Sequence, residues 1–166
     1  METSNAYWAG FFDGEGCINP EKYVSKEYNE KFIIGVKVCV TQKEPLVAAL
    51  MQQRFGGHVR THSITTVSGK KSSITRWELN KAEEVMKFLE AMRPYLIIKG
   101  IEADIALELL SRVIKPRETQ FRKDSKGRKF MKRKAPLDLQ EIKARQLLEM
   151  AFYKERSSHG ATVIQN

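Results

Sequence analysis

From Phe32 to Thr41 the chain alternates, with Phe32, Ile34, Val36, Val38 and Val40 at even positions and Lys37, Cys39 and Thr41 at odd ones. A period of two predicts a half-buried strand with one core face and one open face. The arm before it, about Cys17 to Ser25, and a polar turn over Lys26–Glu30 complete a hairpin. Ahead of this hairpin, a short apolar segment carrying Ala6, Ala9 and Gly10 predicts a helix from Asn5 to about Asp13, ended by Gly14 and Gly16. Pro45 opens a second helix, because a proline suits the first helical position. Its stripe is Leu46, Val47, Leu50, Met51 and Phe55, and Gly56-Gly57 stop it.

A second hairpin follows, with arms near His58–Thr66 and Ser72–Leu79 around Ser68-Gly69-Lys70-Lys71. Asn80 with Glu83 predicts a capping box for a helix from Lys81 to Met92, which Arg93-Pro94-Tyr95 breaks. A longer helix runs from about Lys99 to Ile114 and ends at Pro116; a final one starts at Pro136 and Asp138 and reaches about Glu155. The order α-ββ-α-ββ-α with extra C-terminal helices predicts an α+β fold, two hairpins forming one antiparallel sheet with helices on one face. No long linker divides the chain, so residues 1–156 read as one domain and 157–166 as a tail.

The uncovered sheet face is polar. Asn19, Glu21, Tyr23, Ser25, Lys37, Arg60, His62, Arg76 and Glu78 fall on or near it. A bare face of this kind is often merely solvated, but a twisted antiparallel ribbon also fits the major groove of DNA, where mixed donors and acceptors distinguish the base pairs. Charge favours the second reading. The chain has a net charge of +9, which points to a polyanionic partner. Lys115–Lys134 holds ten Lys or Arg against Glu118 and Asp124, so the rest of the chain nets only +1. Phe121, Phe130 and Met131 interleave these charges. That suits a loop (115–135) laid on a phosphate backbone through Arg128, Lys129, Lys132 and Arg133.

Other classes recede. The opening Met-Glu-Thr-Ser-Asn has neither the basic nor the apolar region of a signal peptide, and no apolar run approaches a membrane span. The expectation is an intracellular, soluble protein, in a prokaryotic cytoplasm or an organelle, with no membrane partner and no small-molecule substrate. Two cysteines are too few for a disulfide scaffold, and His58, His62 and His159 lack the neighbouring acids of a zinc centre. Cys17 and Cys39 are equidistant from a hairpin centre near Tyr28, so they are expected to face each other across paired arms. A reducing cytosol favours free thiols over a disulfide there.

The chemistry concentrates in Trp8-Ala9-Gly10-Phe11-Phe12-Asp13-Gly14-Glu15-Gly16. Two acids lie at the C-terminal end of a helix, where the macrodipole disfavours carboxylates. Such a break in a local rule is expected at functional sites, and a hard cation bound by carboxylate and helix-end carbonyl oxygens would relieve it. Taken alone, Asp-Gly-Glu-Gly is equally well an ordinary turn. Ala6, Gly10 and Gly14 recur every four residues with Ala9 beside them, so a second helix could approach closely. If that helix belongs to a second copy, two Glu15 carboxylates meet near a two-fold axis. Metal-assisted phosphodiester hydrolysis on both strands of a duplex needs that arrangement.

The nonamer resembles the LAGLIDADG motif, written here WAGFFDGEG, and the ββαββα order after it is similar to that family's over roughly the first 115 residues. Val40-Thr41-Gln42-Lys43 resembles the segment whose glutamine positions active-site water. Pro94-Tyr95-Leu96-Ile97-Ile98-Lys99 resembles the segment ending in a basic residue near the scissile phosphate. The resemblance implies a saddle-shaped antiparallel sheet and a site-specific double-strand DNA endonuclease using Mg²⁺, with Mn²⁺ as a substitute. Glu15 would bind metal, with the carbonyl of Gly14 as a secondary ligand. Gln42 would order solvent, and Lys99 would stabilise charge on the phosphate. Ala6, Ala9, Gly10 and Asp13 would form the dimer interface.

One motif implies a homodimer on a near-palindromic site, cut across the minor groove to leave short 3′ overhangs, and encoded in an intron. The chain departs from the family in Glu15 for the usual aspartate, Leu46 where homodimeric relatives can carry arginine, and Trp8 for leucine, which affects packing only. The rival is a non-cleaving relative, an RNA maturase or DNA-binding regulator. Retention of Glu15, Gln42 and Lys99 together favours cleavage.

Overall fold

The computed structural model describes residues 3–24, 32–65, 69, 71–114, 119–123, 129–134 and 139–162. Helix α1 (Asn5–Glu15) starts at Ser4, whose side chain accepts a hydrogen bond from the Tyr7 amide. It continues through Gly14, one turn's fraction further than the glycines suggested. Gly16 stops it: the Gly16 amide bonds the Phe12 carbonyl, and any side chain at residue 16 would collide with the Phe12 ring.

Strands β1 (Gly16–Val24) and β2 (Phe32–Gln42) pair antiparallel. Helix α2 (Pro45–Phe55) leads into β3 (His58–Thr65) and β4 (Lys71–Leu79). The turn after α2 depends on Gly57, whose φ of +85 would strain any other residue and whose missing Cβ leaves room for the Glu78 backbone. The four-stranded sheet has the order β1-β2-β4-β3, so the second strands of the two hairpins lie side by side. Helix α3 (Ala82–Met92), a 3₁₀ turn over Arg93–Tyr95, and α4 (Gly100–Ile114) complete the core.

One face of the sheet is covered. Ile18, Ile34, Val36, Val38, Val40, Trp77 and Leu79 are buried with Phe12, Met51, Phe88, Leu89 and Leu109 from the helices. Phe88 is the hub, with ring centroids 5.1 Å from Phe12, 5.1 Å from Phe55 and 5.4 Å from Trp77. Trp77 satisfies its indole N–H on the Gly56 carbonyl at 2.8 Å. Trp8 is buried edge-on to Phe11 and Phe55, so the bulky residue in the motif fills core space.

Three expectations needed correction. The Asn80/Glu83 capping box does not form: Lys81 is the N-cap of α3 and makes no side-chain cap bond. Within the basic stretch, two strands, β5 (Thr119–Lys123) and β6 (Lys129–Lys134), pair antiparallel where a loop was expected. Their backbones supply the pairing, and the charge-rich sequence carries no period-two apolar signal to announce it. Finally, α5 (Leu139–Thr162) runs past Glu155 through most of the segment read as a tail.

Helix α5 packs on α4 through Phe152 and the buried Arg145, which donates to the Arg112 carbonyl at 2.7 Å and to Glu141 at 2.9 Å. Glu149 pairs with Lys22 of β1 at 2.8 Å, and Arg156, two turns on, reaches Cys17 and Asn19 nearer the start of that strand. The helix thus runs beside the β1 edge of the sheet. No helix among the described residues is long and apolar enough to cross a membrane.

Candidate active site and nucleic-acid interface

Asp13 and Glu15 are neighbours in sequence with opposite environments. Asp13 is only 7% exposed. Its carboxylate accepts the backbone N–H groups of Ile97 at 2.6 Å, Ile98 at 3.2 Å and Lys99 at 3.0 Å. These amides immediately precede α4, so the carboxylate sits where that helix dipole favours negative charge. The protein itself therefore resolves the conflict at the end of α1 as far as Asp13 is concerned. Lys99 completes the exchange, its Nζ donating to the Asp13 carbonyl in the last turn of α1. Asp13→Ala would leave three amides without their anion and is expected to lower stability by about 2 kcal/mol. Urea denaturation checks this, and a cost below about 0.5 kcal/mol would mean that water replaces the carboxylate.

Glu15 is the opposite case, exposed at the end of the same helix. The Gln42 side-chain amide, at the end of β2, donates to Glu15 Oε2 at 2.7 Å. Glu15, Gln42 and Lys99 thus converge on the C-terminal turn of α1 from three separate elements. The set offers hard oxygen ligands, the Glu15 carboxylate and last-turn carbonyls such as that of Gly14, which lack the usual intrahelical partners. It offers them once. Among the described residues no group of three or more His, Cys, Asp or Glu could hold a metal ion. The donor chemistry fits a divalent cation, with a single carboxylate in the set.

The small-residue face of α1 divides into two. Ala6, Gly10 and Gly14 are exposed in line, and an added Cβ at Gly10 or Gly14 would meet no atom within 4 Å. Ala9, by contrast, is 0% exposed and packs into the chain's own core. Ala9 and Asp13, expected at an interface between copies, are therefore used up within one chain. Their positions turn them toward the core and α4, while Ala6, Gly10 and Gly14 face away. Tyr7, Tyr95, Ile97 and Ile98 are also largely exposed, Ile97 at 90%.

The sheet's second face carries the polar residues in register. Asn19 lies opposite Lys37 and Arg60 opposite Arg76, while Cys39, Glu78 and His58 form one row across three strands. Lys37 pairs with Glu21, and Arg76 Nε donates to Thr41 at 3.1 Å. His62 is exposed on β3. Glu78 is less available than expected: it is 9% exposed and 3.6 Å from Arg60. Tyr23 belongs to β1 opposite Ile33. Lys129, Lys132 and Arg133 lie on β6. Ser25 and Arg128 fall outside the described residues.

Cys17 and Cys39 face each other as the hairpin arithmetic implied, and both are free thiols. A hydrogen bond from Cys39, reinforced by the Arg156 guanidinium and opposed by burial, pulls the Cys17 thiol down to about 5. The same contact pushes Cys39 up. Sequence reasoning missed Arg156, which lies 137 residues from Asn19 at the last position of the segment read as the domain. Nothing local in the sequence connects the two.

Comparison with known proteins places this arrangement. The LAGLIDADG endonuclease family model matches residues 8–101. DNA endonuclease I-CreI of Chlamydomonas reinhardtii is 24% identical over 116 residues, covering 68% of this chain and 66% of the relative. The homing endonuclease I-CvuI, solved in complex with its target in the presence of calcium, superimposes with a TM-score of 0.55 at 24% identity, over 67% of this chain and 68% of that one. The archaeal intron-encoded homing endonuclease I-Vdi141I, solved with DNA, gives a TM-score of 0.64 at 14% identity, over 91% and 82%. The chain shares their fold.

Proposed function

Because the chain belongs to the LAGLIDADG endonuclease family, we propose that it is a site-specific double-strand DNA endonuclease that works as a homodimer with divalent metal, Mg²⁺ or in its place Mn²⁺. The observation that carries this reading is the convergence of Glu15, Gln42 and Lys99 at one helix end, with an exposed small-residue face beside it. A bound metal would supply an activated water and charge neutralisation at the leaving oxygen. Glu15 and the Gly14 carbonyl would hold it. Gln42 steers the Glu15 carboxylate and has a second amide hydrogen for solvent. Lys99 brings a positive charge to the same spot, where it would offset charge developing on the phosphate.

A second copy docked on the Ala6, Gly10 and Gly14 face would bring its own Glu15 to the axis and supply the missing half of the ligand set. The largely exposed Ile97 and Ile98, held beside α1 by Asp13, would extend the contact. The two open sheet faces would then read two half-sites related by the same two-fold axis, which makes a near-palindromic target the expectation. Cleavage across the minor groove to leave short 3′ overhangs, and residence of the gene in an intron, belong to the same reading.

A randomised duplex library incubated with and without Mg²⁺ tests it. Cut ends should appear only with metal and share a near-palindromic consensus. Selective binding with no cleavage under any divalent metal would instead favour a DNA-binding regulator or RNA maturase.

The β5–β6 hairpin and its flanks should carry sequence-independent affinity. Each lost phosphate contact lowers the slope of log K against log salt by about 0.9. Neutralising Arg128, Lys129, Lys132 and Arg133 is expected to flatten that slope while base preference stays unchanged. Filter binding across a salt series measures it, and an unchanged slope would assign the segment to solvent.

A further inference from the structure

At the edge of the open face, a side chain from the second half of α5 bonds a candidate base-reading residue. Arg156 donates through Nη1 to Asn19 Oδ1 at 3.1 Å and through Nη2 to Cys17 Sγ at 3.2 Å. Its fork therefore spans residues i and i+2 on the same face of β1. One Asn19 Nδ2 hydrogen is directed at Cys39 Sγ on the neighbouring strand, at 3.9 Å, and Cys17 Sγ lies 3.2 Å from the same Asn19 oxygen.

An arginine has five donors and no acceptor, whereas a carboxamide has one end of each kind. Arg156 can thus meet only the oxygen of Asn19, and the amide orientation is fixed by that contact. A free asparagine reads adenine by accepting from N6 and donating to N7 at once. Flanked on two sides by Arg156 and the Cys17 sulfur, the Asn19 oxygen is screened from a base, and only the Nδ2 hydrogen not directed at Cys39 is left to face the groove. A lone donor suits the acceptors of guanine or thymine. Arg156 lies outside residues 8–101, which the family model matches, so the match assigns it nothing.

We propose that Arg156 is a positioning residue for base selection: by locking the Asn19 carboxamide it excludes adenine at the one base pair in each half-site that Asn19 meets. This rests on the groove-reading role given above to the open face.

The test is a competitive binding profile over a target randomised in both half-sites, for the wild type, Asn19→Ala, Arg156→Ala and Arg156→Lys. Asn19→Ala identifies the position by flattening it. Arg156→Ala should raise relative affinity for adenine at that same position by about tenfold, the scale of one bidentate base contact, and leave the other positions alone. Arg156→Lys keeps a donor-only cation and should retain the wild-type profile. In the Asn19→Ala background, Arg156→Ala should change nothing further at that position.

A uniform loss of affinity in Arg156→Ala with a shallower salt slope would make Arg156 a phosphate contact and overturn the proposal. So would an unchanged profile. A wild type with no base preference anywhere would sink the groove-reading role and this inference together, whereas a sharp wild-type profile that Arg156→Ala leaves intact removes this inference alone.

Discussion

Glu15→Gln is expected to reduce DNA cleavage to background while leaving DNA affinity within about tenfold, or about 1.4 kcal/mol. The substitution keeps the size of the side chain and its place at an exposed helix end, so the fold has no reason to change. What it removes is the negative charge that a hard cation requires. Gln42 at 2.7 Å still finds an oxygen to bond, so the neighbouring strand end should stay in position. Single-turnover cleavage in Mg²⁺, run beside equilibrium binding, separates the two effects. Cutting at a near wild-type rate would remove Glu15 from the metal site.

Gly10→Leu is the second large effect, and it acts on assembly. Within one chain an added Cβ at Gly10 meets nothing within 4 Å, and leucine is a better helix former than glycine by about 1 kcal/mol. The substitution therefore has no reason to destabilise the single chain, and any fall in melting temperature should be limited to the stabilisation that dimerisation gives the wild type. Across a close helix pair the same side chain would force the backbones apart. The expected result is a well-folded monomer with no double-strand cleavage, read by light scattering, thermal melting and a plasmid assay together. A Gly10→Leu protein that remains dimeric and active would show that α1 is not the interface.

The elements of the core were legible because each follows a short-range rule. Period-two alternation marked β2, and Pro45 with Gly56-Gly57 bracketed α2. The paired positions of Cys17 and Cys39 followed from hairpin arithmetic alone. Glu15, Gln42 and Lys99 could be picked out by resemblance, and all three meet at the end of α1. The failures share a different cause. Ala9 and Asp13 sit in the motif beside the exposed glycines, and only the tertiary fold reveals which side of α1 each occupies. The Asn80/Glu83 pattern had the right spacing, yet α3 begins one residue later than a capping box there requires. The β5–β6 pairing depends on backbone hydrogen bonds between stretches whose residues are mostly polar, with no alternating apolar face. Arg156 reaches Asn19 only because α5 lies along the β1 edge, a long-range contact with no local signature.

On the proposed reading, one chain holds half of a catalytic site and two copies make it whole. The stoichiometry of the cleaving complex on its selected target tests this most directly, by sedimentation of protein and duplex across a titration, with strand cleavage followed in the same samples. Two chains per duplex are expected, with both strands cut as that species forms and not before. A single chain per duplex that makes double-strand breaks, at a site lacking two-fold symmetry, would contradict it.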